Sequence, residues 1–139
     1  HRPKLSILDE PSTGPDPVSR LDLWRMISEC AADGAAVIMS TTYLDEAERA
    51  GSLLVLDGGR TLAQGSYDDV RAGFRGTITR ATRPVRPEWS WRRGHERHEF
   101  WPDGSTPADI DPGSVVEPDL EDIVISLSLQ RQLAAGAPA

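Results

Sequence analysis

The chain predicts a mixed α/β fold, and three observations carry that expectation. A short apolar run, Leu5-Ser6-Ile7-Leu8, stops at two adjacent carboxylates, Asp9-Glu10. Apolar runs of strand length then alternate with segments of helical periodicity, the rhythm of a doubly wound sheet. Finally, Asp57-Gly58-Gly59 separates two short strand-like runs, a hairpin signal that fits the antiparallel edge of a mixed sheet.

Each element follows from local chemistry. Residues 4–9 form a short apolar run bounded by turn formers, which predicts a buried parallel strand. The Pro/Gly-rich stretch 11–17 turns the chain sharply away. From about Val18 to Cys30 or Ala32, Leu23, Met26, Ile27 and Cys30 recur on one helical face. Asp33-Gly34 ends that helix. Ala35 to Thr41 predicts a second buried strand, and Leu44 to Ala50 a short helix whose Asp45 and Glu46 suit a helix N-terminus. Ser52–Leu56 and Arg60–Gln64 are the hairpin strands. Ser66, with Asp69 three residues on, is a capping-box pattern.

From about Thr77 the composition shifts to Pro, Arg, Glu and Asp, with few aliphatic residues. Ordering backbone costs about 1–2 kcal/mol per residue, so residues 81–114 predict an irregular extension. Trp89, Trp91, Phe100 and Trp101 leave a second option open: a small accessory subdomain with strands near 76–81 and 98–101. Leu120, Ile123, Val124 and Leu127 mark a last amphipathic helix over 120–133, opened by Pro118-Asp119. The organisation expected is therefore 1–75, an irregular or small accessory segment over 76–117, and a C-terminal helix over 118–134.

Composition excludes several function classes. A net charge of −7 opposes a nucleic-acid partner, since phosphate binding needs a basic face. Trp89-x-Trp91 could be a base-stacking platform, but the acidic balance favours ordinary packing. No apolar stretch approaches the ~20 residues needed to cross a bilayer, and no signal-peptide pattern is present. A single cysteine, Cys30, cannot form an internal disulfide and falls on the helix's apolar stripe. These features predict a cytoplasmic protein. His1, His95 and His98 lack metal-ligand spacing and predict solvated surface.

The chemistry concentrates at Asp9 and Glu10. Ligands in open parallel sheets sit beyond the carboxyl ends of strands, where this pair would be delivered. A hard cation such as Mg²⁺ takes oxygen ligands and keeps several waters, which suits Asp9, directly or through water. Glu10 could position a water or act as general base, a role typically worth ~10²–10⁴ in rate. One requirement is absent. The only lysine, Lys4, follows Pro3, whereas a phosphate-cradling P-loop needs lysine directly after glycine.

Leu5-Ser6-Ile7-Leu8-Asp9-Glu10 followed by Pro11-Ser12-Thr13-Gly14-Pro15-Asp16-Pro17 resembles the Walker B segment and D-loop of ABC transporter ATP-binding subunits. Ser40-Thr41-Thr42 and Tyr43-Leu44-Asp45-Glu46-Ala47-Glu48 are similar to the switch segment of that family. Leu120-Glu121-Asp122 is similar to the terminal helix of its multidrug or ABC-2 exporter branch. The resemblance covers residues 1–75 and, more weakly, 118–130.

What the resemblance implies is a partial P-loop NTPase sheet: the C-terminal half of an ATP-binding subunit, with Walker A, Q-loop and signature motifs on polypeptide before His1. It implies ATP and Mg²⁺ as ligands once that half is supplied. Asp9 would bind Mg-ATP, Glu10 would be catalytic, and Ser12, Gly14 and Asp16 would be D-loop contacts. It implies a second ATP-binding subunit, a permease whose export is energised by ATP, and placement at the inner face of the membrane without insertion. Two positions depart from the pattern. Pro15 stands where the family has leucine, fixing φ and removing an amide donor. Thr42 replaces the switch histidine and lacks the reach and charge of an imidazole, so even a completed site would turn over poorly; its other role would be to cap the next helix. A second function class therefore stays open: a degenerate, non-catalytic ATPase remnant serving as an interaction or regulatory module. A half-sheet would also expose strand faces and edges, predicting marginal folding or self-association in isolation.

Overall fold

The computed structural model describes residues 3–14 and 16–136. They form eight strands and four α-helices in a mixed α/β arrangement. The chain divides into two compact units, His1–Ala47 and Glu48–Ala139.

The first unit holds β1 (Leu5–Asp9), α1 (Pro17–Ala32), β2 (Ala36–Ser40) and α2 (Leu44–Ala47). Strands β1 and β2 pair in parallel, with Leu5 opposite Ala36 and Asp9 opposite Ser40. The crossover helix α1 makes this a β-α-β unit. Proline in its first turn and Asp16 as N-cap fix where it starts. The acceptor Asp16 Oδ1 takes N–H groups from Val18 and Ser19 at 2.9 and 3.2 Å, satisfying two of the donors a helix start leaves free.

The strands differ from expectation in one respect. They were predicted to be buried, yet Leu5 is 50%, Ile7 71% and Ile38 58% exposed. The cause is topology. Only two strands are present, so one sheet face, carrying Leu5, Ile7 and Ile38, has no covering layer within the described residues. The helix follows suit: Met26 is exposed, Leu23, Ile27 and Cys30 are half-buried, and no α1 residue is fully buried. The short helix α2 stops at Ala47 rather than Ala50.

The second unit opens with the antiparallel pair β3 (Leu53–Asp57) and β4 (Arg60–Gly65). Gly58 and Gly59 adopt φ of +53° and +72°, the paired positive angles that a type I′ hairpin turn requires. Strands β3 and β4 pair with each other as a two-stranded antiparallel sheet. The capping box forms at the start of α3 (Tyr67–Gly73), where the Ser66 side chain accepts from the Asp69 N–H and Asp69 accepts from the Ser66 N–H.

Four strands lie within residues 77–116. They form a four-stranded antiparallel sheet in the order β6-β7-β5-β8, from β5 (Thr77–Ala81), β6 (Ser90–Arg93), β7 (Glu96–Trp101) and β8 (Val115–Val116). This sheet belongs to the same compact unit as β3, β4 and α4 (Leu120–Ala134). Aromatic packing explains how so few aliphatic residues suffice. Phe100 is fully buried, with the rings of Phe74 and Trp89 at 5.6 and 5.7 Å. Arg86 stacks 3.8 Å above Trp101, whose indole N–H donates to Thr79 Oγ1 at 3.0 Å. The buried Glu99 carboxylate accepts the N–H groups of Val85 and Arg86 at 3.1 and 2.7 Å, tying down the loop before β6.

Helix α4 (Leu120–Ala134) buries Leu120 and Ile123 completely. Its first N–H donates to Glu48, and near its end Arg131 pairs with Asp57 Oδ2 at 2.8 Å. His98, predicted to be solvated, is buried, and its Nδ1 lies 2.8 Å from the buried Asp122 carboxylate. A histidine opposite an acidic helix face gains a hydrogen-bonded partner that spacing in the sequence could not reveal.

Candidate functional site

The site is built where β1 and β2 end side by side. Parallel register sets Asp9 directly opposite Ser40, and the Ser40 hydroxyl donates to Asp9 Oδ1 at 2.5 Å. The same hydroxyl accepts the Glu10 N–H at 2.9 Å. A second acceptor for that N–H is the Ser40 carbonyl, at 3.1 Å. One serine therefore bridges both acidic residues.

Glu10 is the only described non-glycine residue with positive φ, at +40°. A left-handed conformation costs an ordinary L-residue about 1–2 kcal/mol, so the surroundings must hold it there. They do so through Ser40 on one side and a tight turn on the other. The Thr13 N–H donates to the Glu10 carbonyl at 3.0 Å, and the Thr13 hydroxyl donates to Glu10 Oε2 at 3.1 Å. Both Asp9 and Glu10 are exposed. A strained, solvent-facing carboxylate at the carboxyl end of a parallel strand is a typical place for a reactive group.

The loop beyond the pair carries the remaining expected contacts. Ser12 is buried, and its hydroxyl has no hydrogen-bond partner among the described residues. Gly14 adopts φ of +99° in open space, a conformation open to glycine. Pro15 lies outside the described residues. Asp16 caps α1, and hydrogen bonds from the Ser19 hydroxyl and from the Ser19 and Val18 N–H groups hold its carboxyl below the usual range; they stabilise the anion.

The switch segment follows Ser40 without interruption. Thr42 is exposed, and no hydrogen bond joins its hydroxyl to another described residue. The neighbouring Thr41 closes a local turn before α2: its Oγ1 accepts the Tyr43 N–H at 3.0 Å and donates to Glu46 Oε2 at 2.8 Å. Glu46 is buried, so this carboxylate fixes the segment from inside. The Arg20 guanidinium lies 4.5 Å from the centre of the Tyr43 ring, a cation–π contact that ties α1 to the same segment. Sequence reasoning missed Ser40 as the bridge and Glu46 as the anchor. Strand register would have exposed the first; nothing local signals the second.

Asp9, Glu10 and Ser40 together present hard oxygen donors at the rim of a β-α-β unit, which defines an α/β protein with an acidic site at the carboxyl end of its parallel strands. The relatives make that class specific. Over about half its length the chain is homologous to ATP-binding proteins of ABC transporters. It is 48% identical over 63 residues to the probable multidrug ABC transporter ATP-binding protein YbhF of Escherichia coli (strain K12), covering 45% of this chain and 11% of that protein. Identity is 37% over 79 residues to the daunorubicin/doxorubicin resistance ATP-binding protein DrrA of Streptomyces peucetius, covering 56% and 24%. It is 41% over 69 residues to the Nod factor export ATP-binding protein I of Cupriavidus pinatubonensis, covering 49% and 21%. A solved structure described as the ATP binding subunit of an ABC transporter aligns with 40% identity over 51% of this chain and 30% of its own, at a TM-score of 0.49. No family model matches the chain. The chain thus spans at most about a quarter of the length of these relatives.

Proposed function

We propose that this chain supplies the Walker B, D-loop and switch portion of an ABC transporter ATP-binding subunit that energises export through a membrane permease. One observation carries the proposal: Asp9 and Glu10 stand together at the end of β1, both held by Ser40. The homology to drug and Nod factor export ATP-binding proteins supports the export branch.

The donor set fits magnesium. Asp9 is exposed at the strand end, and its carboxylate is a hard oxygen ligand of the kind the ion prefers. No group of three or more His, Cys, Asp or Glu side chains placed to hold a metal ion occurs among the described residues. Asp9 would therefore act as one protein ligand beside nucleotide phosphates, the usual arrangement for this cation. When bound, Mg²⁺ neutralises charge on the phosphate oxygens.

The other residues act on water and on the loops. Glu10, pinned through its backbone and its Thr13 contact, offers Oε1 as a base or positioner for an attacking water. Asp16 fixes where the D-loop enters α1, and Gly14, which is exposed, would be the D-loop position open to a second ATP-binding subunit, whereas Ser12 is buried. Thr42 occupies the switch position. The remaining nucleotide-binding motifs, Walker A and the signature, would come from polypeptide outside this sequence. The bare apolar face bearing Leu5, Ile7 and Ile38 supports that view, since apolar surface of this kind is normally covered. No helix among the described residues is long and apolar enough to cross a membrane.

A second reading has its own observation. Thr42 offers only a hydroxyl where an imidazole would act, and no lysine follows a glycine anywhere in the chain; both fit a non-catalytic interaction module. Equilibrium binding of Mg-ATP separates the two. The chain alone is expected to show no saturable binding, and binding is expected when it is joined to an upstream segment carrying Walker A. Tight binding by the chain alone, or none by the joined protein, overturns the proposal.

A further inference from the structure

Asp9 and Glu10 are each held through one carboxylate oxygen. The Ser40 hydroxyl donates to Asp9 Oδ1, and the Thr13 hydroxyl donates to Glu10 Oε2. Neither Asp9 Oδ2 nor Glu10 Oε1 accepts a hydrogen bond from another described residue. Both side chains are exposed, so each carboxylate is fixed on one side and open on the other. The two hydroxyls differ in one respect. That of Thr13 serves Glu10 alone, whereas that of Ser40 also accepts the Glu10 N–H at 2.9 Å.

The parallel register that sets Ser40 opposite Asp9 brings the hydroxyl to this place. A hydroxyl has one proton to donate and two lone pairs to accept with. Its proton goes to Asp9 and one lone pair to Glu10. The strand pairing does not depend on it. The Glu10 N–H has a further acceptor in the Ser40 carbonyl at 3.1 Å, which any residue at position 40 would supply. What the hydroxyl adds is an orientation for the Asp9 carboxylate and a connection from that carboxylate to the backbone of Glu10.

We infer that Ser40 is a positioning residue for a divalent cation on Asp9, and that its hydroxyl relays the occupancy of Asp9 to the backbone of Glu10. This rests on the reading of Asp9 as a magnesium ligand. Carboxylates that bind metals are themselves hydrogen-bonded, and losing such an outer partner costs roughly 10–100-fold in metal affinity. With Oδ1 committed to Ser40, Oδ2 is the oxygen left for the ion or one of its waters. A cation on the carboxylate draws charge from Oδ1 and makes it a weaker acceptor. Hydrogen bonds in a chain polarise one another, so the Ser40 oxygen in turn becomes a weaker acceptor of the Glu10 N–H. Filling Asp9 is thereby felt at the neighbouring residue, whose Oε1 is free.

The test uses the full chain and metal ions alone. Manganese(II), a paramagnetic stand-in for magnesium, is titrated while amide signals are followed by NMR. Broadening at Asp9 and Ser40 reports binding at the strand ends, and the exposed Asp22 on α1 is the reference for non-specific binding. Saturable broadening at Asp9 and Ser40 is expected in the wild type. Its half-saturation should rise roughly tenfold or more in Ser40→Ala and stay near the wild-type value in Ser40→Thr, which keeps the hydroxyl. Diamagnetic Mg²⁺ is titrated next. The Glu10 amide proton should move upfield as Asp9 fills, and should move much less in Ser40→Ala at matched occupancy.

Equal half-saturation in the wild type and Ser40→Ala overturns the positioning role and leaves Asp9 standing as a ligand. Broadening at Asp9 no stronger than at Asp22 overturns the magnesium reading itself, and the role of Ser40 with it. A Glu10 shift of the same size with and without the hydroxyl overturns the relay. Two-dimensional spectra check the fold of Ser40→Ala; should it unfold, Ser40→Cys, close in size and only a weak donor, replaces it with the same expected loss.

Discussion

The Ser40 hydroxyl donates to the Asp9 carboxylate while accepting the N–H of Glu10. It therefore links the ends of two parallel strands and helps hold Glu10 at its positive φ. Removing it leaves Glu10 one acceptor, the Ser40 carbonyl. Ser40→Ala is expected to destabilise the chain by about 1 kcal/mol, the net worth of an ordinary hydrogen bond, and Ser40→Thr to restore most of it. Urea unfolding midpoints measure both. Equal midpoints for Ser40→Ala and the wild type would show that the bridge carries no weight in solution.

Gly76 sits at the entry to β5 with φ of +121°, and a Cβ there would lie 2.5 Å from Phe100 Cε2 and from the Trp101 carbonyl. Both strain and overlap oppose any side chain, and Phe100 has no room to retreat because it is fully buried. Overpacking of a tight core costs about 1–3 kcal/mol. Gly76→Ala is expected to lower the thermal midpoint markedly. Gly104→Ala, at φ of +75° with open space around it, is the control and should lower it far less. Similar losses for the two would place the effect in backbone strain alone.

Asp16 and Asp69 are both held below their ordinary value of 3.8, chiefly by side-chain hydrogen bonds from Ser19 and Ser66 respectively. Both cap helices. A carboxyl whose folded value is depressed adds stability that is complete above the unfolded value and is lost as pH falls through the folded one. The two caps should therefore be at full strength above about pH 4 and weaken below it. Replacing both by Asn keeps a capping side chain but no titrating group. The double variant is expected to lose less of its thermal midpoint between neutral and acid pH than the wild type. An unchanged acid slope would show that neither cap contributes to pH dependence.

Much of this was legible in the residues. The apolar run into Asp9-Glu10, the Asp33-Gly34 stop, the Gly58-Gly59 turn and the Ser66/Asp69 box each act through neighbours in sequence, so local chemistry locates them. What could not be read depends on partners far along the chain. Strand β6 is written Ser-Trp-Arg-Arg and has no apolar alternation; it exists because β7 pairs with it. His98 looked solvated until Asp122, 24 residues away, closed over it. The hydroxyl that engages this segment is that of Thr41, bonded to the Tyr43 N–H and to Glu46, and not that of Thr42. In the site itself, Asp9 and Glu10 were evident, while Ser40 became visible only through register.

The catalytic proposal turns on Glu10 and Thr42 in a protein completed by the upstream segment. Glu10 is anchored by its own backbone and by Thr13, so Glu10→Gln should preserve the loop while removing the base. Loss of a general base typically slows a reaction ~10²–10⁴-fold, and nucleotide binding should survive, leaving ATP trapped. Thr42 is exposed, and its hydroxyl makes no hydrogen bond to another described residue, whereas Thr41 holds the turn through the Tyr43 N–H and Glu46. Thr42→His can thus be made without undoing the segment, and it should raise phosphate release, because an imidazole adds a reach and a charge that a hydroxyl lacks. Phosphate release under single turnover measures both variants. A normal rate in Glu10→Gln would remove Glu10 as the base, and no gain in Thr42→His would place residue 42 away from the reacting phosphate.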